Sequence, residues 1–389
     1  MSTTTGHLDL DQRLARYAAD LRELGAIRSP AVQKAFATVP RHRFLRSFYY
    51  RADRYTLAPG ELPSARLLDV IYANNALFTH DGSDGDPTSS SSGPSVMAKM
   101  LEALDLRPGM RVLEIGGGTG YNAALLAAIT GAEVTAVEAG RVAAANAGAT
   151  IDELGLADRV RVVHADGYHG DPAGGRFDRI IATCGIAGVP PVWLDQLVEG
   201  GMLLAPIAHA GVHPILTVQT AGRVTVQGRC ALWADFMPAA GNLRPSVLFA
   251  HDPNTSISAD NVGRDVAAVP AAGPDRYNDL GFYLGVRDAR TNRAYLDAPE
   301  FSPAAGSTAL VEDDAAVWVQ HNGDLLHAGP ESTIAPLREQ LHQLVHEWDS
   351  SGQPAATEWR ARFAPASGTP APLLVPSQWE CADASPSAR

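Results

Sequence analysis

Residues 112–121 read Val-Leu-Glu-Ile-Gly-Gly-Gly-Thr-Gly-Tyr, and an Ala/Leu-rich stretch follows to Thr130. A short apolar strand that breaks into glycines and resumes as a helix is the opening unit of a parallel α/β sheet. Glycines at such a turn let the backbone approach a ligand that a Cβ would keep away. The carboxyl end of the strand is where ligands sit in sheets of this kind. Taken alone the turn leaves three uses open: a nicotinamide dinucleotide, a flavin dinucleotide, or only a tight bend. The chain has no GxxxxGK segment, which disfavours a nucleoside triphosphate.

The alternation continues. Arg111–Ile115, Glu133–Glu138, Arg159–Ala165, Phe177–Thr183 and Gly201–Ile207 read as strands, with helices predicted over Asn122–Thr130 and Ala143–Leu154. Val212–Thr220 and Arg223–Ala231 read as a β-hairpin turning at Ala221-Gly222. Upstream, Leu10, Leu14, Tyr17, Leu21 and Leu24 lie at helical spacing over residues 8–25. Ser29-Pro30 then opens a second helix that runs to about Thr38. Residues 82–93 are Ser, Gly and Asp with one threonine and one proline and read as a loop, and Pro94 opens the next helix. Past residue 240 the alternation is lost. Gly281–Val286 and Ala315–Gln320 read as strands, His321–Asp324 as a turn returning through Leu325–Ala328, and Ser332–Trp348 as an amphipathic helix. Three regions follow: 1–95, helical with a polar loop; 96–240, the α/β core; and 241–389, a smaller α+β extension whose tail past about 382 reads as unstructured.

Composition narrows the function. A formal charge of −12 over 389 residues argues against non-specific nucleic-acid binding, which needs a basic surface. Cys184, Cys230 and Cys381 lie far apart without a CxxC pair, so a zinc site or disulfide framework is not expected. The N-terminus lacks the basic and apolar segments of a signal peptide, and no apolar run approaches bilayer length. The expectation is a cytoplasmic protein with reduced thiols and neither a nucleic-acid nor a membrane partner.

Glu114 stands before the turn as E-x-G-x-G-x-G, an arrangement that resembles the S-adenosylmethionine (AdoMet) methyltransferases. That resemblance implies a cofactor cradle of Glu114, Gly116, Gly117, Gly118, Thr119 and Gly120. It further implies ribose contacts from Glu138 at the end of the second strand and adenine contacts from Asp166-Gly167 at the end of the third. Either acid alone would read as a solvated loop residue; their order along the chain favours the cofactor. Four more segments are similar to the protein-L-isoaspartate carboxyl O-methyltransferases: Val39–Leu45 (VPRHRFL), Met97–Leu104, Phe177–Thr183 with its continuation to Gly201, and Phe236-Met237-Pro238. The resemblance covers roughly residues 10–240. It implies a doubly wound, Rossmann-like class I methyltransferase sheet.

Two departures bear on substrate. The family's Thr-Ile-Ser-x-Pro loop is replaced by Ser90-Ser91-Ser92-Gly93-Pro94, with Ser92 in the family serine's position and Ser91 in that of isoleucine. The resemblance makes Ser91 and Ser92 the candidates for orienting a substrate carboxylate. The extension of roughly 150 residues resembles relatives that methylate an Asp of a ribosomally made, modified precursor peptide, whose ester collapses to aspartimide or isoaspartate. Three readings follow: a peptide-tailoring Asp methyltransferase, a repair enzyme for isoaspartate in damaged proteins, and a methyltransferase-fold binding module. The intact cradle disfavours the last, and the departures favour the first over the second.

Overall fold

A computed structural model of the chain describes residues 2–51, 53–80, 88–221, 225–249, 255–258 and 261–382. The chain opens with helices α1 (Ser2–Glu23) and α2 (Pro30–Thr38). Ser29 caps α2, its hydroxyl accepting from the Val32 amide at 3.3 Å, with Pro30 at the first helical position as predicted. On α1, Leu14, Tyr17 and Leu21 are buried, whereas Leu24 lies past the helix end and is exposed.

A small antiparallel sheet follows, of β1 (Ser47–Tyr50), β2 (Asp53–Thr56), β3 (Leu77–His80) and β4 (Ser89–Ser91), in the order β2-β1-β3-β4, with helix α3 (Ala65–Ile71) before β3. This corrects the reading of residues 82–93 as loop throughout: Ser91 pairs with Leu77 and Ser90 with Phe78. A run of serines has no hydrophobic alternation from which a strand could be read. Residues 81–87 lie outside the described part of the chain. Helix α4 (Pro94–Ala103) then starts on Pro94 as predicted.

The central sheet contains β5 (Val112–Ile115), β6 (Val134–Glu138), β7 (Val160–His164), β8 (Phe177–Ala182) and β9 (Leu197–Pro206), all parallel. Helices α5 (Tyr121–Thr130), α6 (Arg141–Glu153) and the short α7 (Pro191–Asp195) connect them. Side chains alternate across it. Leu113, Ile115, Val137 and Ile180 enter one core; Val112, Val134, Ala136 and Ile181 enter the other, beneath α5. Strands β10 (Ile215–Ala221) and β11 (Thr225–Leu232) form the predicted hairpin; its turn at Gly222 is outside the described residues.

A six-stranded sheet comes next: β12 (Thr255–Ile257), β13 (Gly263–Asp265), β14 (Thr291–Leu296), β15 (Thr308–Glu312), β16 (Ala315–Val319) and β17 (Leu325–Ala328), ordered β12-β14-β15-β16-β17-β13. Helices α8 (Gly273–Arg287) and α9 (Glu331–Ser350) accompany it. The Gly281–Val286 segment is therefore helical, which overturns the strand expectation. A six-residue apolar run between glycines does not distinguish the two periods. Helix α8 buries Leu280, Tyr283 and Leu284, and Gly281 packs where a Cβ would lie 3.1 Å from Thr308 Oγ1. Helix α9 buries the predicted stripe from Ile334 to Trp348.

The chain then returns. β18 (Trp359–Pro365) and β19 (Leu374–Cys381) complete a nine-stranded central sheet of order β19-β18-β11-β10-β9-β8-β5-β6-β7. Trp348 and Trp359 belong to the same buried cluster as Leu113 and Ile180, so the extension shares a core with one face of the central sheet. The tail past 382 is outside the described residues. No helix among the described residues is long and apolar enough to cross a membrane.

Candidate active site

From β5 the chain proceeds to β6 and β7 on one side, while β8 returns on the other. The gap beyond the carboxyl ends of β5 and β8 is thus a topological switch point, where open α/β sheets hold ligands. A cavity of about 450 Å³ lies there, walled by the turn at Gly116–Thr119, by Glu138, Asp166 and Gly167, by Ser89–Ser92 and by residues 235–240.

The turn has little room for side chains. Gly116 has φ +89°, and a Cβ on it would stand 2.9 Å from Thr183 Oγ1. The amides of Gly116 and Gly117 both donate to Val137 O, at 2.8 and 3.1 Å, which folds the turn over the end of β6. Gly167 approaches β5 so closely that a Cβ would meet Ile115 Cγ2 at 2.7 Å. Gly120 also has positive φ, but it begins α5 against Ala147 and does not reach the cavity wall.

Glu138 ends β6, nearly buried. Its Oε2 accepts from Gly118 N and its Oε1 from Gly140 N, both at 2.7 Å. The carboxylate therefore holds the turn, and each oxygen keeps a second lone pair for another donor. Asp166 accepts from Tyr168 N at 2.9 Å and lines the cavity beside Gly167.

Glu114 sits one layer deeper, because alternation along β5 turns it into the core beneath α5. It is 1% exposed; Oε1 accepts from Asn122 Nδ2 at 2.8 Å, and Oε2 has no partner. Burial pushes its carboxyl up to about 8; the Asn122 bond pulls it down, and the Glu138 charge pushes it further up. The folded value lies above the unfolded one, so the folded state keeps a proton that the unfolded state releases. Stability from this group is present below about pH 4.5 and is lost as pH rises through about 8. Glu114→Gln is accordingly expected to raise the melting temperature of the ligand-free protein at pH 8 and to leave it nearly unchanged at pH 4. Equal shifts at both pH values in a thermal scan would contradict this.

AdoMet fits these groups. It is a sulfonium with an ammonium group, a ribose diol and an adenine. The cavity offers carboxylates at its wall, an unpartnered buried carboxyl oxygen on Glu114, and glycines where a Cβ would intrude.

Opposite the turn stands β4. Ser91 is buried, and Ser91 and Ser92 both line the cavity. They are held by Arg41, which is fully buried. Arg41 Nε donates to Ser91 Oγ at 3.2 Å, and Nη2 donates to the carbonyls of Ser91 at 3.1 Å, Ser92 at 3.0 Å and Asn75 at 3.1 Å. Nη1 donates to Ile71 O at 2.8 Å. The Arg41 of the VPRHRFL segment thus fixes the serine strand, a role that spacing alone could not indicate across 50 residues. Asn122, Thr183 and Cys184 are site residues that sequence reasoning also missed. Thr183 Oγ1 donates to Gly116 O at 2.5 Å, and burial pushes the Cys184 thiol up to about 12, so it stays protonated. His42 is held in a structural contact: Nδ1 meets Tyr72 Oη at 2.8 Å, and burial pulls its ring down to about 4.

Comparison with known proteins agrees with this geometry. A family model described as protein-L-isoaspartate(D-aspartate) O-methyltransferase matches residues 15–243. A protein-L-isoaspartate O-methyltransferase of Thermotoga maritima is 38% identical over 181 residues, covering 46% of this chain; the chain spans about half, 51%, of that relative's length. One from Thermococcus sibiricus is 32% identical over 199 residues, covering 51% of this chain and 79% of the relative. Among solved structures, a protein-L-isoaspartate O-methyltransferase superposes with a TM-score of 0.53 at 23% identity over 94% of this chain and 98% of its own, which shows a shared fold. A family model covering more than half of the chain places this chain in the protein-L-isoaspartate(D-aspartate) O-methyltransferase family.

Proposed function

We propose that this chain forms a methyl ester on the side-chain carboxylate of isoaspartate in proteins or peptides, a repair-type activity. The observation that carries this reading is the placement of β4 across the cavity from the cofactor turn. Ser90 O lies 3.6 Å from where a Cβ of Gly118 would be, so the strand that bears Ser91 and leads into Ser92 directly overlies the cradle. The peptide-tailoring reading led on sequence grounds. The relatives are named for isoaspartate, and their names mention no modified precursor peptide. The repair reading therefore stands ahead. We assign residues 241–389 a substrate-side role within it.

AdoMet, when bound, supplies an electrophilic methyl carbon on sulfur. The substrate carboxylate, with an ordinary pKa near 4, is already ionised at neutral pH, so no protein base is needed. Glu138, Asp166 and the Gly116–Gly118 turn would hold the cofactor, which would supply the methyl group that a carboxylate oxygen accepts. What the chain must do is align the two reactants and exclude water. Ser91 and Ser92 orient the carboxylate by donating from their hydroxyls, and Val96, Met97 and Met100 supply an apolar wall.

Ser92→Ala is expected to lower turnover roughly tenfold, the size of one lost hydrogen bond to a charged group, with AdoMet affinity by calorimetry nearly unchanged. A matching loss of cofactor binding would sink the assignment. The activity itself is tested by mass spectrometry of two synthetic peptides, one with isoaspartate and one with Asp followed by Gly. Ester on the isoaspartyl peptide alone supports repair. Ester on the Asp peptide alone restores the tailoring reading. Ester on neither, with AdoMet bound, points to a particular pre-cyclised substrate.

A further inference from the structure

Among the described residues no basic side chain lines the cavity; its acidic ones are Glu114, Glu138, Asp166 and Asp235. The first three surround the cofactor cradle and suit a cation. Asp235 begins the wall segment that passes Met237, whose carbonyl accepts from Gly185 N at 2.8 Å, and ends at Gly241–Leu243 beside Asp166 and Gly167. It follows β11 and is the one of these four that lies outside the turn and the parallel strand ends forming the cradle. A carboxylate there would repel a substrate carboxylate.

Asp235 does not stand alone. Arg293 Nη1 donates to its Oδ2 at 2.5 Å, while His213 Nδ1 and Phe236 N meet its Oδ1 at 3.1 and 3.0 Å. Arg293 comes from β14, in the sheet of the C-terminal extension, and its Nη2 donates to Tyr295 Oη at 2.7 Å. The fit between the two parts is close. A Cβ on Gly211, in the turn after β9, would lie 2.4 Å from Arg293 N. Burial pushes the Asp235 carboxyl up, but the His213 bond and the charges of His213 and Arg293 outweigh it and hold the group below its usual range. It is thus a carboxylate met by His213 from within the core and by Arg293 from the extension.

We propose that Arg293 is a specificity-determining positioning residue: the C-terminal sheet inserts it to cancel the charge of Asp235, so that a cavity acidic enough for the cofactor still admits an anionic substrate. The inference rests on the carboxyl-methylation reading above. It gives the extension a definite task, which is to set the electrostatics of the methyl-acceptor side.

The test uses the full chain. Arg293→Gln leaves Asp235 partly uncompensated. KM for an isoaspartyl peptide is then expected to rise roughly tenfold, with kcat changed much less, and the increase should shrink at high salt. Adding Asp235→Asn to that variant should bring KM back to near the wild-type value, and Arg293→Lys should stay near it. A double variant no better than Arg293→Gln would mean that the ion pair only braces the wall, and would overturn the proposal. A second measurement needs no substrate. AdoMet is a cation, so its affinity for Arg293→Gln should tighten by roughly threefold; unchanged or weakened binding overturns the proposal. If the wild type binds AdoMet yet esterifies neither test peptide, the repair reading fails, whereas tightened binding would still show that Arg293 screens Asp235.

Discussion

Replacing Glu138 with alanine is expected to weaken AdoMet binding by about a hundredfold or more. Two charge-assisted hydrogen bonds from Gly118 N and Gly140 N end on this carboxylate, and bonds to charged groups are worth roughly 1.5–3 kcal/mol each. Its loss releases the turn and removes the acceptor we assign to the ribose hydroxyls. Glu138→Gln, which keeps an acceptor oxygen but cannot serve two amides and a diol equally, should lie between alanine and wild type. Calorimetric titration measures both. An alanine variant within a few-fold of wild type would show that the glycine backbone alone holds the cofactor.

The second large effect concerns stability. Arg41→Met is expected to lower the unfolding free energy by about 3–5 kcal/mol. The carbonyls of Ile71, Asn75, Ser91 and Ser92 lose their donor, and each buried unpaired group costs roughly 1–3 kcal/mol before water or relaxation offsets part of it. Turnover should fall with it, because β4 carries Ser91 and leads directly into Ser92. Urea unfolding with a parallel assay would check this. A loss below about 1 kcal/mol would mean that water readily replaces the guanidinium.

How much of this was legible in the sequence depends on the range of the forces involved. The parallel core was legible because its signals are local. Short, nearly continuous apolar runs mark β5, β6 and β8, and the glycines at 116–118 announce a turn where a Cβ on Gly116 or Gly117 would press on Thr183 or Ala136. The carboxylates at 138 and 166 follow from chain order, since each strand of such a sheet ends at the same edge. Where local signal was weak, the reading failed. Three serines became a strand because β3 and Arg41 hold their backbone. Gly281–Val286 became helical because the longer segment from Gly273 buries its apolar side against the shared core.

The sequence by itself determined the fold class, the glycine turn after β5 and the family, since each rests on contacts among residues near in the chain or ordered by strand succession. Only the tertiary structure decided that the extension is not a separate body. Strands β18 and β19 rejoin the central sheet beside β11, and Arg293 reaches Asp235 across 58 residues of chain. Nor could the sequence show that Glu114 is buried with one oxygen unpartnered, or that Arg41 stands behind the serines. The physical reason is common to all of these. Burial, ion pairing and the shift of a carboxyl's proton affinity depend on what surrounds a group in space, and for these residues the decisive neighbours come from distant parts of the chain.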